Sequence, residues 1–530
     1  MPITTAIYNA HPHKINSLLA DIEQQFALDE DALISITSHF HKLFNLGLSD
    51  YGHQMAMIPT FVTGVPDGTE TGTFLALDLG GTNLRVCQVE LHGNKAFTLK
   101  QQKYRVSEAL KTGEATVLFD YLADSVDAFL TSNMESPQSL DNPNTINTDS
   151  PAIPLGLTFS FPVEQTALDK GFLLTWTKGF SAKNAINKDV VKLLQDAFDR
   201  KHLHVKCVAL VNDTVGTALS RAYTAGGCVL GAIFGTGTNG AYLEQVANIT
   251  KLRNGPAAAA GGVMMVNTEW GAFDNAREVL PITPFDNKVD RESINPRFQA
   301  YEKFISGMYL GEITRNLLLA LVDAAPKPIL FNGKATERLN KHYGLDTEML
   351  SLVESAWRTD APREGDSEEN AVLRDFSAPL AEERIAPATL RRLNRVREIV
   401  QEHLGYAPGE VSLRDAALVQ WAAALVVRRA ARLSACAVAT VALQMGYVTG
   451  LGKDARAAAP SADRKPYSIG IDGSLYQHYP GFEDRMREAL RLLLGEEVEK
   501  LVIMGLAKDG SEVGAALGAL QATKHTKTVT

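Results

Sequence analysis

The sequence predicts an α/β protein built from two similar β-rich halves that face each other across a cleft. Three observations predict it. Apolar strand-like runs alternate with helical stretches along the chain. Two glycine-tipped hairpins, TFLALDLGGTNLRVCQVEL and VLGAIFGTGTNGAYLEQV, share an apolar strand, a turn ending in Thr-Asn (Thr82-Asn83 and Thr238-Asn239) and a second strand, which reads as a degenerate internal repeat. Near the end, GIDGSLY and KDGSEVGAALGAL each carry an apolar strand through a glycine turn into a helix.

In chain order, Ile15, Leu18, Leu19, Ile22 and Phe26 recur at helical spacing, and a second amphipathic helix is expected from about Asp31 to Leu46. A Pro/Gly-rich connector leads into the first hairpin. Residues 131–154 are rich in Ser, Asn, Asp and Pro and read as a solvated loop. IPLGLTFSFPV reads as a buried strand, and CVALVNDTVGTALSRAY as a strand running straight into a helix. The second hairpin follows. Residues 355–370 read as a polar surface loop, and Leu413–Tyr447 as a buried helix. The last helix carries Gly514, Ala515, Ala516, Gly518 and Ala519, small residues suited to close packing on a sheet.

At 530 residues the chain is too long for one core. With 45% hydrophobic and 21% charged residues it has an ordinary globular balance, and its net charge of -9 argues against a nucleic-acid surface. Cys87, Cys207, Cys228 and Cys436 are scattered, which builds neither a zinc site nor a disulfide framework and points to a reducing compartment. The longest apolar run within the buried helix, Trp421 to Val427, is far short of the ~20 residues of a membrane span. The N-terminus has no signal-peptide pattern, so a cytoplasmic location is expected.

Phosphoryl transfer needs a phosphate cradle, a metal, a group to receive the attacking hydroxyl's proton, and exclusion of water. The candidate cradles are Asp78-Leu79-Gly80-Gly81-Thr82-Asn83 and Gly235-Thr236-Gly237-Thr238-Asn239, where glycines let backbone N–H groups approach an anion. Taken alone, either reads first as a plain hairpin turn, because Gly-rich turns are common. No G-x-x-x-x-G-K-[ST] is present, which excludes a P-loop enzyme. Asp213, where a strand gives way to a helix, is a candidate base or an ordinary helix N-cap. Asn212, Asn239, Glu269 and Glu302 are the amides and carboxylates that a sugar's hydroxyls require, while Ser160, Thr177 and Lys178 are unspecific by themselves.

The constellation is more telling than its parts. FLALDLGGTNLRV, LGLTFSFP, TWTKGF, LVNDTVGT, IFGTGTNGAY, NTEWGAFDN, FISGMYLGE, IGIDGSLY and DGSEVGAALGAL occur in an order that resembles the hexokinase family, most like its fungal glucokinase/hexokinase branch, from about residue 15 to 520. The resemblance implies a two-lobed actin-like/ribonuclease-H-like ATPase fold, with mixed sheets, helices on both faces and a central cleft. It implies transfer of the γ-phosphoryl group of ATP to the 6-hydroxyl of glucose, with mannose and fructose as further candidate acceptors. Asp213 would take the 6-OH proton with Lys178 as its catalytic partner, and Ser160, Thr177, Lys178, Asn212, Asp213, Asn239, Glu269, Gln299 and Glu302 would bind the sugar. Asp78, Gly80, Gly81, Thr82, Asn83, Arg85, Gly235, Thr236 and Gly237 would meet the triphosphate. Asp472, Gly473, Ser474, Gly510 and Ser511 would flank the nucleoside. Mg²⁺ would arrive on ATP, near Asp78 and Asp213 and without a direct protein ligand.

The implied small lobe is 74–214 plus about 503–520, the large lobe is 1–73 plus 215–502, and 521–530 is a polar tail. The expected assembly is a monomer or a homodimer, with no nucleic acid and no membrane span. A non-catalytic glucose sensor of the same family and an actin-type structural protein are the competing readings. The pattern departs from the family at Lys508 and Glu512, the latter where glycine is usual. If that turn needs a positive φ, Glu512 is expected to strain it. Separately, an added carboxylate near the nucleotide is expected to weaken ATP binding.

Overall fold

The computed structural model describes residues 12–81, 83–133, 152–177, 179–253, 255–359, 382–457 and 466–528. Thirteen strands form two large sheets and a hairpin among these residues. In the five-stranded sheet, β2 (Thr71–Leu79), β3 (Asn83–His92) and β4 (Phe97–Arg105) pair antiparallel. β5 (Ile153–Phe159) and β8 (Val205–Val211) then add in parallel beside β2, giving the order β4-β3-β2-β5-β8. The six-stranded sheet repeats this plan. β9 (Leu230–Phe234), β10 (Thr238–Gln245) and β11 (Val263–Asn267) pair antiparallel, β12 (Tyr467–Asp472) and β13 (Val502–Leu506) add in parallel beside β9, and β1 (Ile58–Pro59) extends the far edge. The small hairpin is β6 (Val163–Ala167) with β7 (Lys170–Leu173). The internal repeat read from two turns is thus a repeat of whole sheet topology.

Strand periodicity sends alternate residues to different cores. Leu75, Leu77 and Leu79 of β2 join Leu155, Leu157 and Phe159 of β5 in a core under the Ala115–Asn133 and Val190–Arg200 helices. Phe74 and Ala76 point the other way, into a core shared with Val513, Ala515 and Leu517 of the final helix, Gly510–Thr528. The six-stranded sheet buries Leu230, Ala232 and Phe234 against a large helical layer that includes Glu30–Ser49 and Leu413–Gln444. Its opposite face carries Gly231 and Gly470, which admit the Asp213–Ala225 helix.

Two helices therefore lie between the sheets, Asp213–Ala225 on one and Gly510–Thr528 on the other. Their backbones touch. A Cβ on Gly514 would stand 2.0 Å from Cα of Gly216, and one on Gly156 of β5 would stand 2.0 Å from the carbonyl oxygen of Ala515. The small residues noted in the last helix are needed on both of its sides.

The helix expected over Asp31–Leu46 runs Glu30–Ser49, capped by Asp29, whose Oδ1 accepts the N–H of Ala32 at 2.8 Å. Leu413–Gln444 is the expected buried helix and starts with a Ser412/Asp415 capping box. Its Arg429, fully buried, pairs with Asp286 at 2.6 Å between the rings of Phe26 and Phe304. The sequence expectations differ from the structure in three places. The loop expected over 131–154 lies outside the described residues except at its ends, where the helix runs on to Asn133 and β5 begins at Ile153. The loop expected over 355–370 begins inside a helix that continues to Arg358, and from 360 lies outside the described residues. Residues 503–506 belong to β13 and pair with β12, so the chain passes to the five-stranded sheet only after Leu506. No helix among the described residues is long and apolar enough to cross a membrane.

Candidate active site

The first glycine tip closes through the N–H of Gly80, which donates to the carbonyl of Asn83 at 3.0 Å. Asp78 precedes it on β2 and Arg85 follows on β3, in direct register. Both lie on the sheet face covered by the Gly510–Thr528 helix, so Nη1 of Arg85 meets Oδ2 of Asp78 at 2.8 Å and Oε1 of Glu512 at 3.3 Å. Asp78 is 4% exposed. Burial first, then the charges of Glu512 and Asp213, push its carboxyl up to about 7 against the pull of Arg85. Glu512 is also raised, mainly by burial.

The strain expected at Glu512 is absent, because the residue sits in the first helical turn. The positive φ belongs to Asp509, at 48°. Thr158 of β5 ties that helix start to the sheet, its hydroxyl donating to the carbonyl of Ser511 at 2.8 Å.

The second tip is held by backbone instead. The N–H of Gly235 donates to Gly237 at 3.0 Å, while Gly235 and Thr236 accept from the N–H groups of Gly307 at 2.7 Å and Met308 at 3.2 Å. Gly473 packs beneath it with φ 120°, where a Cβ would stand 2.4 Å from the carbonyl of Phe234. Only glycine fits there. Beside it, Asp472 is raised, chiefly by burial and with Asp213 among its charged neighbours, and its Oδ1 accepts from the N–H of Gly473 at 2.7 Å. Ser474 opens the following short helix.

Just past this tip lies a network of amides and carboxylates. Asn239 donates through Nδ2 to Asn267 at 2.9 Å and to Glu269 at 3.3 Å, and Asn267 donates to the same Glu269 oxygen at 2.8 Å. Glu302 accepts the N–H of Thr238 at 3.0 Å, its carboxylate lying where a Cβ on Gly237 would stand 2.7 Å away. Glu269 and Gln299 both adopt left-handed backbone, with φ 53° and 54°, and Gln299 packs against Gly271. Asn267 joins this network without any sequence signal of its own beyond its motif, NTEWGAFDN, which it heads.

Between the two tips, Asn212 and Asp213 begin a helix. The cap is Asn212, whose Oδ1 accepts the N–H of Thr214 at 2.9 Å and its hydroxyl at 2.6 Å. Asp213 is therefore the first helical residue rather than the cap. One of its oxygens accepts the N–H of Thr214 at 2.9 Å. Asn212, which follows β8, and Asn267, the last residue of β11, line one cavity with Thr60, Gln165, Phe159 and Phe161. Ser160 is buried at the end of β5, and Thr177 follows Trp176, whose ring packs on Phe159, Phe161 and Phe180. Lys178 and Thr82 lie outside the described residues.

The structure thus brings Asp78, Arg85, Asp213 and Asp472 into one electrostatic neighbourhood, and Asn239, Glu269 and Glu302 into one beside the second tip. Two family models, each described as hexokinase, match residues 18–223 and 229–521. The chain belongs to the hexokinase family. It is 40% identical to a glucokinase of Aspergillus niger over 90% of this chain and 91% of that protein. It is 34% identical to hexokinase-2 of Saccharomyces cerevisiae over 97% and 94%. Among solved structures, a hexokinase from Schistosoma mansoni complexed with glucose matches with a TM-score of 0.74 at 32% identity, covering 97% of this hexokinase and 100% of that chain. The fold is the two-lobed actin-like one of that family.

Proposed function

We propose that this hexokinase transfers the γ-phosphoryl group of MgATP to the 6-hydroxyl of glucose, with mannose and fructose as further acceptors, and acts in the cytoplasm as a monomer or homodimer. The observation that carries the proposal is a juxtaposition. A charged glycine tip and an uncharged tip bordered by amides and carboxylates stand on matching sheets, with Asp213 at the head of the helix between them.

In this reading Asn212, Asn239, Asn267, Glu269, Gln299 and Glu302 fix the sugar from one side, and Ser160, Thr177 and Lys178 from the other. A hexose hydroxyl both donates and accepts, and the interlocked Asn239–Asn267–Glu269 set offers both with little freedom to reorganise. Asp213 accepts the 6-OH proton. A carboxylate is a weak base for an alcohol, but a loose phosphoryl-transfer transition state asks little of it until late.

Asp78, Gly80, Gly81, Thr82, Asn83, Arg85, Gly235, Thr236 and Gly237 meet the triphosphate, and Asp472, Gly473, Ser474, Gly510 and Ser511 the nucleoside. The hard carboxylate oxygens of Asp78 and Asp213 suit a nucleotide-borne Mg²⁺ that neutralises phosphate charge. The raised value of Asp78 marks a place where added positive charge is favourable. The two lobes, 74–214 with the last helix and the remainder, close when sugar binds, which keeps water from taking the hydroxyl's place.

A coupled assay of glucose 6-phosphate formation tests this. Asp213→Asn is expected to lose ~10²–10⁴-fold in kcat/KM. Turnover in the variant equal to that of the wild type overturns the assignment.

A further inference from the structure

Glu512 is not among the residues assigned to sugar or nucleotide, yet its carboxylate stands beside Arg85 at the β2–β3 tip. It is 6% exposed, in the first turn of the Gly510–Thr528 helix, where the helix dipole favours an anion. Nη1 of Arg85 faces it at 3.3 Å while donating to Asp78 at 2.8 Å. One guanidinium answers two buried carboxylates.

The surroundings add to the imbalance. Asp213 acts on Asp78, and Asp472 and Asp509 act on Glu512. The neighbouring cation, Lys508, has its Nζ over the ring of Phe97 at 5.8 Å. A polyphosphate approaching this helix start meets a tethered anion already standing there and already facing Arg85. The Glu512–Arg85 pair is longer than the Asp78–Arg85 hydrogen bond, so it is the contact that Arg85 can release for a phosphate oxygen.

We propose that Glu512 is an affinity-setting residue, an intramolecular competitor that faces Arg85 in the nucleotide-free protein and weakens the binding of a nucleoside polyphosphate. The proposal rests on the phosphate-site reading of the β2–β3 tip. Its energetic scale is that of one unit charge a few ångströms from phosphate in a partly screened site, about tenfold in a dissociation constant.

Calorimetric titration of MgADP into the full chain, with glucose present, tests it without turnover. Glu512→Gln is expected to bind MgADP about tenfold more tightly than wild type, while its glucose affinity stays unchanged. Glu512→Ala, which removes the carboxylate without placing an amide there, is expected to repeat the gain. In an Arg85→Gln background the same substitutions are expected to gain less, because the contested cation is gone. Tighter binding is an outcome that a merely structural role does not produce. Unchanged or weaker MgADP binding in both Glu512 variants overturns the proposal. A wild type that binds glucose but no MgADP overturns the phosphate-site reading instead.

Discussion

At the β2–β3 tip the side chains beside the turn are charged, Arg85 meeting both Asp78 and Glu512. At the β9–β10 tip, on a sheet of the same strand order, the turn carbonyls of Gly235 and Thr236 accept from the N–H groups of Gly307 and Met308, and Gly473 packs against its backbone. The topology is shared and the chemistry is not. The reason lies in the helix that covers each sheet. Gly510–Thr528 brings a carboxylate to the first tip, whereas Asp213–Ala225 lies over Gly231 and Gly470 and leaves the second tip to close backbone packing. The first tip is therefore set by an ion-pair cluster, the second by close backbone packing with the Glu302 carboxylate at its edge.

The largest expected effect comes from breaking the shape side. Gly473→Ala places a Cβ 2.4 Å from the carbonyl of Phe234 at φ 120°, so the second tip must move. A displacement of that order is expected to cost ~10²-fold in kcat/KM for MgATP, read from steady-state kinetics. An effect below a few-fold would mean that the second tip is not a rigid part of the nucleotide site.

Next comes Glu302→Ala, which removes the carboxylate that accepts the Thr238 N–H at 3.0 Å. In the proposed site the same carboxylate accepts a sugar hydroxyl, and losing one hydrogen bond to a charged group, about 1.5–3 kcal/mol, is expected to lower glucose affinity by calorimetry roughly 10–100-fold.

The smallest effect tests the charge side. The carboxyl of Asp78, raised from 3.8 to about 7, binds its proton more tightly folded than unfolded. Its contribution to stability is full below its unfolded value and is lost as pH rises through about 7. In thermal melts of the ligand-free protein, Asp78→Asn is expected to gain on wild type as pH rises from about 5 to about 8, by a few degrees. A gap that stays constant with pH would place the proton elsewhere.

The legible part of this protein was local. Hairpins, strand-to-helix junctions and the buried 413–444 helix follow from period, glycine turns and capping residues, which act over a few positions. The order of motifs along the chain points to the family without any tertiary contact. Asp213 could not be separated from a helix cap, because both uses ask for a carboxylate at a strand-to-helix junction. Only the hydrogen bonds of Asn212 to Thr214 decide who caps.

Neighbouring residues alone specify the elements, the repeat of glycine-tipped hairpins and the placing of amides and carboxylates beside them. The tertiary structure alone decided that Asn267 joins Asn239 and Glu269, that Glu512 sits unstrained in a helix, and that its charge meets Arg85. Backbone propensity is written in neighbouring residues. Electrostatic partnership between residues 85 and 512 exists only once two sheets and two helices have stacked, because it depends on distance in space rather than along the chain.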